Sequence, residues 1–292
     1  MGRDVSAAAI QASCLCGDVA WEGGGRFDLL THCHCSRCRK AHGSAFATSV
    51  MCAAEGFRYL RGAERIARYE STPGIFRSFC ERCGSTVPSG AVWNERVSLP
   101  AATLEGDLHT EPLAHIFAAS KAPWHEITDS LPRFDAFPPG VDAGVFPDLE
   151  PRDPPGVGTR GSCLCGAIRY VVDGPAVRCH NCHCLRCRRA RSSMYAANLF
   201  TWVDALRLTR GEELLVSYKL PGAAYFGQDF CRVCGSPMPR FDRERGIAIV
   251  PMGSLDDDPG TRPMRHIFVA SKAPWFAISD DLPQFAERPT EL

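Results

Sequence analysis

The sequence predicts a mainly β protein built from two tandem domains of small antiparallel sheets. The first reason is an internal repeat that covers most of the 292 residues. The second is a series of short alternating apolar runs, the pattern of half-buried strands, with few segments of helical period. The third is a Pro- and Gly-rich segment between the two copies, which can neither continue a helix nor pair inside a sheet.

The internal repeat is carried by motifs that recur in the same order. Ser-Cys-Leu-Cys-Gly at 13–17 recurs at 162–166, and Cys-His-Cys-x2-Cys-Arg at 33–39 recurs at 182–188, both 149 residues later. Phe-Cys-x2-Cys-Gly-Ser at 79–85 recurs at 230–236, now 151 residues later, so two residues are inserted near 221–227. The repeat predicts domains at 10–135 and 159–288, joined by a linker at 136–158 with six Pro and four Gly.

Local patterns predict the individual elements, which are short. Residues 36–43 are expected to form one short helix after a Cys cluster. Alternation over 206–208 and 215–217 predicts strands on either side of the turn between them, and alternation over 247–249 predicts another strand.

Charge and length exclude several classes of protein. The 33 Lys and Arg balance 33 Asp and Glu, which does not favour nucleic-acid binding. No run approaches the ~18 apolar residues of a membrane span, and residues 1–10 lack the apolar core of a signal peptide. We therefore expect a cytoplasmic protein with no membrane partner, whose 16 Cys are reduced and serve metal binding or redox chemistry.

The cysteines divide into two sets of seven and two spares. Each copy has one C-x-C, one C-x-C-x2-C and one C-x2-C, whereas Cys52 and Cys179 lack a counterpart and are expected to be ordinary thiols. The outer pairs predict a closed structural zinc site in each copy, since a short spacing lets both sulfurs reach one ion about 2.3 Å away. The predicted ligands are Cys14, Cys16, Cys80 and Cys83, and Cys163, Cys165, Cys231 and Cys234.

Three thiols remain in each copy, and three protein ligands with a vacant position are typical of a zinc ion that meets a substrate. These candidate catalytic groups are Cys33, Cys35 and Cys38 in the first copy and Cys182, Cys184 and Cys187 in the second. The alternative is a second closed site, with His32, His34 or His42 as the fourth ligand. Only His34 has a counterpart, and its place between two ligands would turn it away from the metal.

A zinc ion with three thiolates carries a single negative charge, so it activates water weakly but keeps an incoming thiol deprotonated and nucleophilic. Basic residues follow each triad in the sequence. They are expected either to offset that charge and hold substrate carboxylates, or to form a solvated face. They are Arg37, Arg39 and Lys40, and Arg186, Arg188, Arg189 and Arg191.

Both copies resemble the glutathione-dependent formaldehyde-activating enzyme family, also called the GFA or CENP-V domain. The resemblance rests on Gly-Ser-Cys-Leu-Cys-Gly at 161–166, the two other Cys motifs, Gly-Ser-Leu-Asp at 253–256, and the His-Ile-Phe and Ser-Lys-Ala-Pro-Trp segments of each copy. It implies a β-tent fold, a structural zinc on the outer Cys and a second zinc on each triad, up to four ions per chain. The implied co-substrate is glutathione or another low-molecular thiol, and the implied activity is that of a carbon-sulfur lyase that forms or cleaves thiol–aldehyde adducts such as S-hydroxymethylglutathione.

The two copies depart from the family pattern in different places. The first has Leu-Glu-Gly at 104–106 where the second has Leu-Asp-Asp, and the second has Arg-Ser-Ser-Met-Tyr at 191–195 where the first has His-Gly-Ser-Ala-Phe. Because the second change adjoins a triad, we expect the first copy to be the better candidate for catalysis.

The Ser-Lys-Ala-Pro-Trp segments allow two interpretations. Trp124 and Trp275 either border a pocket together with Lys121 and Lys272, or pack in the core. A Trp that follows Pro near the end of a small β domain favours the core.

A second class of function is a non-catalytic, zinc-stabilised tandem module whose duplicated surface binds a protein partner. Residues 1–150 hold 14 Lys and Arg against 18 Asp and Glu, and the remainder holds 19 against 15. This difference also allows the halves to pack on each other electrostatically, with a modest effect. A redox role for the C-x2-C pairs requires a strand-to-helix context that the sequence does not show.

Overall fold

The protein folds as two β halves of the same architecture. The structure is a computed structural model that describes residues 9–141, 146–151 and 153–289. The first half contains β1 Ile10–Ser13, β2 Ala20–Gly23, β3 Asp28–Cys33, α1 Ser36–His42, β4 Ala47–Ala53, β5 Phe57–Arg61, β6 Ile66–Thr72, β7 Ile75–Cys80, β8 Thr86–Val87, β9 Val92–Trp93, β10 Arg96–Pro100 and β11 Ala114–Ile116. The second half contains β12 Thr159–Ser162, β13 Arg169–Val172, β14 Arg178–Cys182, α2 Leu185–Arg191, β15 Ala196–Trp202, β16 Leu206–Arg210, β17 Leu215–Lys219, β18 Gly227–Cys231, β19 Pro237–Met238, β20 Arg240–Asp242, β21 Ile247–Pro251 and β22 His266–Ile267.

The strands of each half form two small sheets and one larger sheet. The small sheets have the orders β1-β2-β5 and β6-β7-β8 in the first half, and β12-β13-β16 and β17-β18-β19 in the second. The larger sheets have the orders β11-β3-β4-β10-β9 and β20-β21-β15-β14-β22. Pairing between these strands is antiparallel except at one edge of each larger sheet, where β11 runs parallel to β3 and β22 to β14. The prediction of a mainly β fold with small antiparallel sheets is confirmed.

The predicted helix is confirmed as α1, which ends where Gly43 adopts a left-handed conformation (φ 58°). Its counterpart α2 ends in the same way at Ser192, a residue for which this conformation is strained (φ 49°). Within the described part of the chain, no helix is long and apolar enough to cross a membrane.

The strands predicted around 206–217 are present, but they belong to different sheets. Gly211 (φ 75°) and the 3₁₀ turn Glu212–Leu214 carry the chain from β16 to β17. A Cβ atom at Gly211 would lie 2.3 Å from the carbonyl oxygen of Ala167, so this turn packs tightly against the backbone of its own half. The turn therefore links two small sheets and does not close a hairpin.

The predicted domain and linker boundaries stay predictions. Of the linker 136–158, residues 142–145 and 152 lie outside the described residues. The described residues between the 3₁₀ turn Ala118–Ser120 and β12 form no strand or helix, and their regular pairing is limited to an isolated bridge between His115 and Arg133.

The two halves pack on each other through reciprocal apolar contacts. Phe79 of the first half lies against Gly235 of the second, and Phe230 lies against Gly84. A Cβ atom would lie 2.4 Å from the Phe79 ring if added at Gly235 and 2.3 Å from the Phe230 ring if added at Gly84. The two Phe rings have centroids 6.3 Å apart in an edge arrangement. Each glycine therefore makes room for an aromatic ring of the opposite half.

Hydrogen bonds between the two halves are reciprocal in the same way. The Ser44 hydroxyl donates to the carbonyl oxygen of Tyr195 at 2.7 Å, and the Ser193 hydroxyl donates to that of Phe46 at 3.0 Å. Two ion pairs cross the interface, Lys40 with Asp256 at 2.6 Å and Arg189 with Glu105. The halves thus do pack on each other, but buried apolar contacts accompany the charges.

Replacement of Gly235 by Ala is expected to lower the free energy of unfolding by about 1–3 kcal/mol more than replacement of Gly260 by Ala. Both glycines have a positive φ (73° and 66°), so both variants carry the strain of about 1–2 kcal/mol for a left-handed residue. Only at position 235 does the new methyl group also overlap an aromatic ring of the other half. At Gly260 no neighbouring atom lies within 4 Å of the added methyl group. Urea unfolding of both variants measures the difference, and equal losses would show that the interface is loose.

Candidate functional site

The four outer cysteines of each half lie together, with all four sulfur atoms within 4.8 Å of one another. In the first half, Cys16 Sγ lies 3.4 Å from Cys14 Sγ and 3.7 Å from Cys80 Sγ, and the second half repeats this at 3.3 and 3.8 Å. Four sulfurs around one zinc ion at about 2.3 Å are about 3.8 Å apart, whereas a disulfide requires about 2.05 Å. The spacing fits one tetrahedral metal ion.

Local backbone contacts hold these sulfurs in place. The Val19 N–H donates to Cys14 Sγ at 3.3 Å, and the Leu15 N–H donates to the hydroxyl of Ser85 at 3.1 Å, which ties one Cys pair to the other. The contact with Cys16 and burial raise the pKa of Cys14 above its usual range. Four thiolates at this spacing repel one another, so a cation bound among them would stabilise them together.

The three remaining cysteines of each half also cluster, again with their sulfurs within 4.8 Å. Cys33 ends β3, and Cys35 is the residue that caps α1, where its sulfur accepts from the Cys38 N–H at 3.4 Å. In the second half Cys184 Sγ accepts from the Cys187 N–H at the same distance. The spacing along the chain and the first helical turn together bring the three sulfurs to one point.

No histidine joins either triad within the described residues. His34 Nε2 lies 2.8 Å from His115 Nδ1, and His115 Nε2 lies 3.0 Å from Asp129. Burial lowers the pKa of His34 to about 2, so its ring is neutral and structural. The same chain of contacts recurs in the second half through His183, His266 and Asp280.

The two other candidate histidines are also committed elsewhere. His32 Nδ1 lies 2.9 Å from the Thr48 hydroxyl, and His42 Nδ1 lies 2.8 Å from the carbonyl oxygen of Arg191. The alternative of a closed site with His32, His34 or His42 as fourth ligand is therefore wrong for this structure.

The interpretation of the basic residues as a solvated face is wrong for several of them. Lys40 is only 4 % exposed, because its ammonium group donates to the carbonyl oxygens of Ser162 and Ser254 at 2.9 and 3.3 Å and pairs with Asp256. Arg188 is buried as well and donates to the carbonyl oxygen of Ala102 at 2.9 Å. Both side chains form contacts between the halves, because each helix that follows a triad packs against the opposite half.

Aromatic side chains cover the triad of the first half. Phe117, Phe137 and Phe146 pack against Cys33, Cys35 and Cys38, with ring centroids 4.9 Å apart for Phe117 and Phe137 and 5.9 Å apart for Phe137 and Phe146. Phe137 and Phe146 both belong to the predicted linker.

Polar contacts fix this cover over α1. The Ser36 N–H donates to the Asp148 carboxylate at 3.2 Å, and the Leu149 N–H donates to the Ser36 hydroxyl at 2.8 Å. Arg37 donates to the carbonyl oxygen of Pro147. The predicted linker thus packs over the triad of the first copy, and the expectation that this copy is the better candidate for catalysis stays a prediction.

The triad of the second half opens on a cavity of about 860 Å³. Its floor is one face of the five-stranded sheet, including Asn198, Phe200 and Ile249, and α2 contributes Arg186, Arg189 and Arg191 to its wall. No Asp or Glu is among the described residues that line it. The cavity is therefore both large and cationic.

Five further arginines of this cavity were not singled out from the sequence: Arg178, Arg240, Arg245, Arg265 and Arg288. They are scattered over more than a hundred residues, and no motif joins them. The signal that could have found them is the difference between the copies, because the corresponding positions of the first half are Leu29, Ser89, Asn94, Ala114 and Phe137.

The Trp of each Ser-Lys-Ala-Pro-Trp segment packs against the core, as expected. Trp124 is 3 % exposed, and Trp275 packs against the same core cluster. Lys121 and Lys272 donate to backbone carbonyl oxygens of their own segments at 3.1 and 2.7 Å. The two spare cysteines are buried, as ordinary core thiols are.

The fold and its sites define a class, a tandem β protein with four groups of closely spaced cysteines that could hold metal ions. The chain belongs to the glutathione-dependent formaldehyde-activating enzyme family, whose model matches residues 9–120 and 158–271. A relative from Halomonas elongata that is named after this enzyme is 33 % identical over 125 residues, which cover 40 % of this chain and 79 % of the relative. A crystal structure of a Rhodobacter sphaeroides protein is 26 % identical, covers 36 % of this chain and 97 % of its own, and has a TM-score of 0.28.

The difference in cover predicts a difference in thiol reactivity. A short pulse of N-ethylmaleimide is expected to modify Cys184 faster than Cys35, because Cys35 is buried under Phe137 and Phe146 whereas Cys184 is half-buried and lines the cavity. Phe146→Ala is expected to speed up modification of Cys35 several-fold and to leave Cys184 unchanged. Peptide mass spectrometry after the pulse gives both rates at equal metal content.

The matched control for this variant is Phe76→Ala, which removes a ring that is 49 % exposed on β7 of the same half. It should leave both rates as they are in the unaltered chain. Equal reactivity of Cys35 and Cys184 in the unaltered chain would contradict the assignment of a covered and an open triad.

Proposed function

We propose that the chain is a cytoplasmic zinc-binding enzyme that forms and cleaves adducts between a low-molecular thiol and an aldehyde. The reaction site is the triad of the second half. The observation that carries the proposal is the position of Cys182, Cys184 and Cys187 on a large cationic cavity, whereas the first triad is covered. Membership of the formaldehyde-activating family supports the reaction class.

The donor set of the triad fits a zinc ion. Three sulfurs within 4.8 Å of one another match the spacing of thiolates around one tetrahedral ion, and they leave one position free of protein ligands. Zinc bound there supplies a position where an incoming thiol is held as a thiolate that stays nucleophilic. The chain itself contributes the charge and the shape around that position.

Arg191 places a positive charge close to these thiols. Its guanidinium is buried beside Cys187, and burial lowers its pKa to about 10, so the group stays protonated at neutral pH. A fixed positive charge at this point offsets part of the negative charge of the thiolates. Arg186 lies on α2 at the open cavity, where it can hold a carboxylate of a thiol such as glutathione, whereas Arg189 pairs with Glu105 of the other half.

Apolar side chains line part of the cavity. Phe226 packs at the triad, whereas Phe200 and Ile249 lie farther along the floor. In the forward direction the thiol sulfur bonds to the aldehyde carbon, the carbonyl electron pair moves to oxygen, and the thiol proton ends on that oxygen as a hydroxyl. The reverse reaction breaks the same carbon–sulfur bond and returns both reactants.

Elemental analysis of protein purified without chelators is expected to give four zinc ions per chain. The two four-sulfur clusters tie separate strands together, so strong chelation should unfold both halves as it removes the metal. Circular dichroism during chelation follows the unfolding. Two zinc ions per chain would show that the triads do not hold metal, and no metal at all would exclude the proposed chemistry.

Cys184→Ser is expected to lower the rate of S-hydroxymethylglutathione formation above the spontaneous reaction by roughly 10-fold or more, since even the partners of metal ligands contribute that much. The matched variant is Cys35→Ser, the same change at the equivalent position of the covered triad. Exchange spectroscopy by NMR, which separates catalysed from spontaneous adduct formation, measures both. A normal rate in folded Cys184→Ser protein, or equal losses in both variants, would refute the assignment to the second triad.

A further inference from the structure

One face of β14 connects the open triad to a cluster of arginines. Because side chains alternate along a strand, Arg178, His180 and Cys182 point to the same side, and all three line the cavity. Four residues of extended strand separate the Cα atoms of Arg178 and Cys182 by about 13 Å. The cavity is thus long enough to hold a molecule whose sulfur and whose charged end are well apart.

Three arginines line the far end of this face, close enough to influence one another electrostatically. Arg178 ends at the Phe200 ring, with its central carbon 4.2 Å from the ring centroid, and Arg265 lies beside His180 because β22 pairs with β14. Arg288 approaches from the C-terminal segment. Burial lowers the pKa of Arg178, and the charges of Arg288, Arg245 and Arg265 lower it further. We call these three residues, Arg178, Arg265 and Arg288, the arginine cluster.

The arginine cluster has no anionic partner in the described part of the chain. Arg240 and Arg245 nearby share Asp242, at 3.3 and 2.5 Å, but no carboxylate lies within ion-pair distance of the cluster itself. Like charges held together in a partly enclosed site repel one another, and the repulsion is stronger than in water. An anion bound among them would relieve this repulsion.

The fold itself does not require these charges. The first half builds the same sheet with Leu29, Ala114 and Phe137 at the three corresponding positions. The cluster is therefore a feature of the one half whose triad is open. This coincidence points to a ligand that uses the triad and the cluster together.

We propose that the cavity of the second half binds a phosphorylated thiol, with its sulfur at the triad and its phosphate at the arginine cluster. A phosphate carries up to two charges and presents several acceptor oxygens, which suits three convergent guanidinium groups better than a single carboxylate does. A volume of about 860 Å³ is at the upper end of cavities that hold small ligands, so it accommodates a thiol with a long phosphorylated arm. The inference rests on the proposed function for the role of the sulfur.

Calorimetric titration of the zinc-loaded chain with 4′-phosphopantetheine and with pantetheine tests the proposal, because the two thiols differ only by the phosphate. The phosphorylated thiol is expected to bind roughly 10-fold or more tightly. Arg288→Gln and Arg265→Gln should each remove most of this advantage and leave pantetheine binding unchanged. Arg288 is exposed, so its variant is expected to fold even if the other does not.

Arg243→Gln is the matched control, since this exposed arginine lies in the turn between Arg240 and Arg245 but is not among the residues that line the cavity. It should keep the full advantage. Equal affinity for the two thiols, no binding of either, or an advantage that survives in Arg288→Gln and Arg265→Gln would overturn the proposal. Inorganic pyrophosphate that binds while the phosphate gives the thiol no advantage would show a free-anion site and would also overturn it.

The outcomes separate this inference from the proposed function. A phosphate advantage without catalysed adduct formation would keep the ligand class and remove the reaction. Catalysed formation of S-hydroxymethylglutathione without tighter binding of the phosphorylated thiol would keep the proposed reaction and remove the proposed ligand class.

Discussion

The contact of Phe79 with Gly235, and its counterpart, is the constraint on which the arrangement of the sites depends. Phe79 directly precedes Cys80 and Gly84 directly follows Cys83, so one turn both presents cysteines to the four-sulfur cluster and closes the interface. The interface in turn fixes helices α1 and α2, each of which holds one cysteine of a triad and is capped by another. The geometry of the outer clusters, the packing of the halves and the geometry of the triads are therefore coupled.

The fold was largely predictable because its determinants are local and repeated. The recurrence of the Cys motifs predicted two copies, and alternation predicted β16, β17 and β21. What local patterns could not show is which surfaces meet. Lys40 looks like a solvated side chain in the sequence, yet its partner Asp256 is more than two hundred residues away. A contact between residues so far apart in the chain produces no pattern in a sequence window of ten or twenty residues.

The sequence likewise predicted one part of the candidate site and missed another. The two triads were found because metal ligands must be close in the chain when one helical turn brings them together. The arginine cluster and the cover over the first triad were missed, since their members come from strands, loops and the linker. Both appear when the copies are compared position by position, and the clearest case is a single pair, Phe137 over the closed triad and Arg288 at the open cavity.

That pair shows how the two copies differ around their triads. The first half has its triad packed under the predicted linker, and it supplies Glu105 and Ala102 as partners for Arg189 and Arg188 of α2. These contacts hold α2 of the other half, whose triad lines the cavity. An isolated second half would lack the partners that place α2, so the open site depends on the closed one for its geometry.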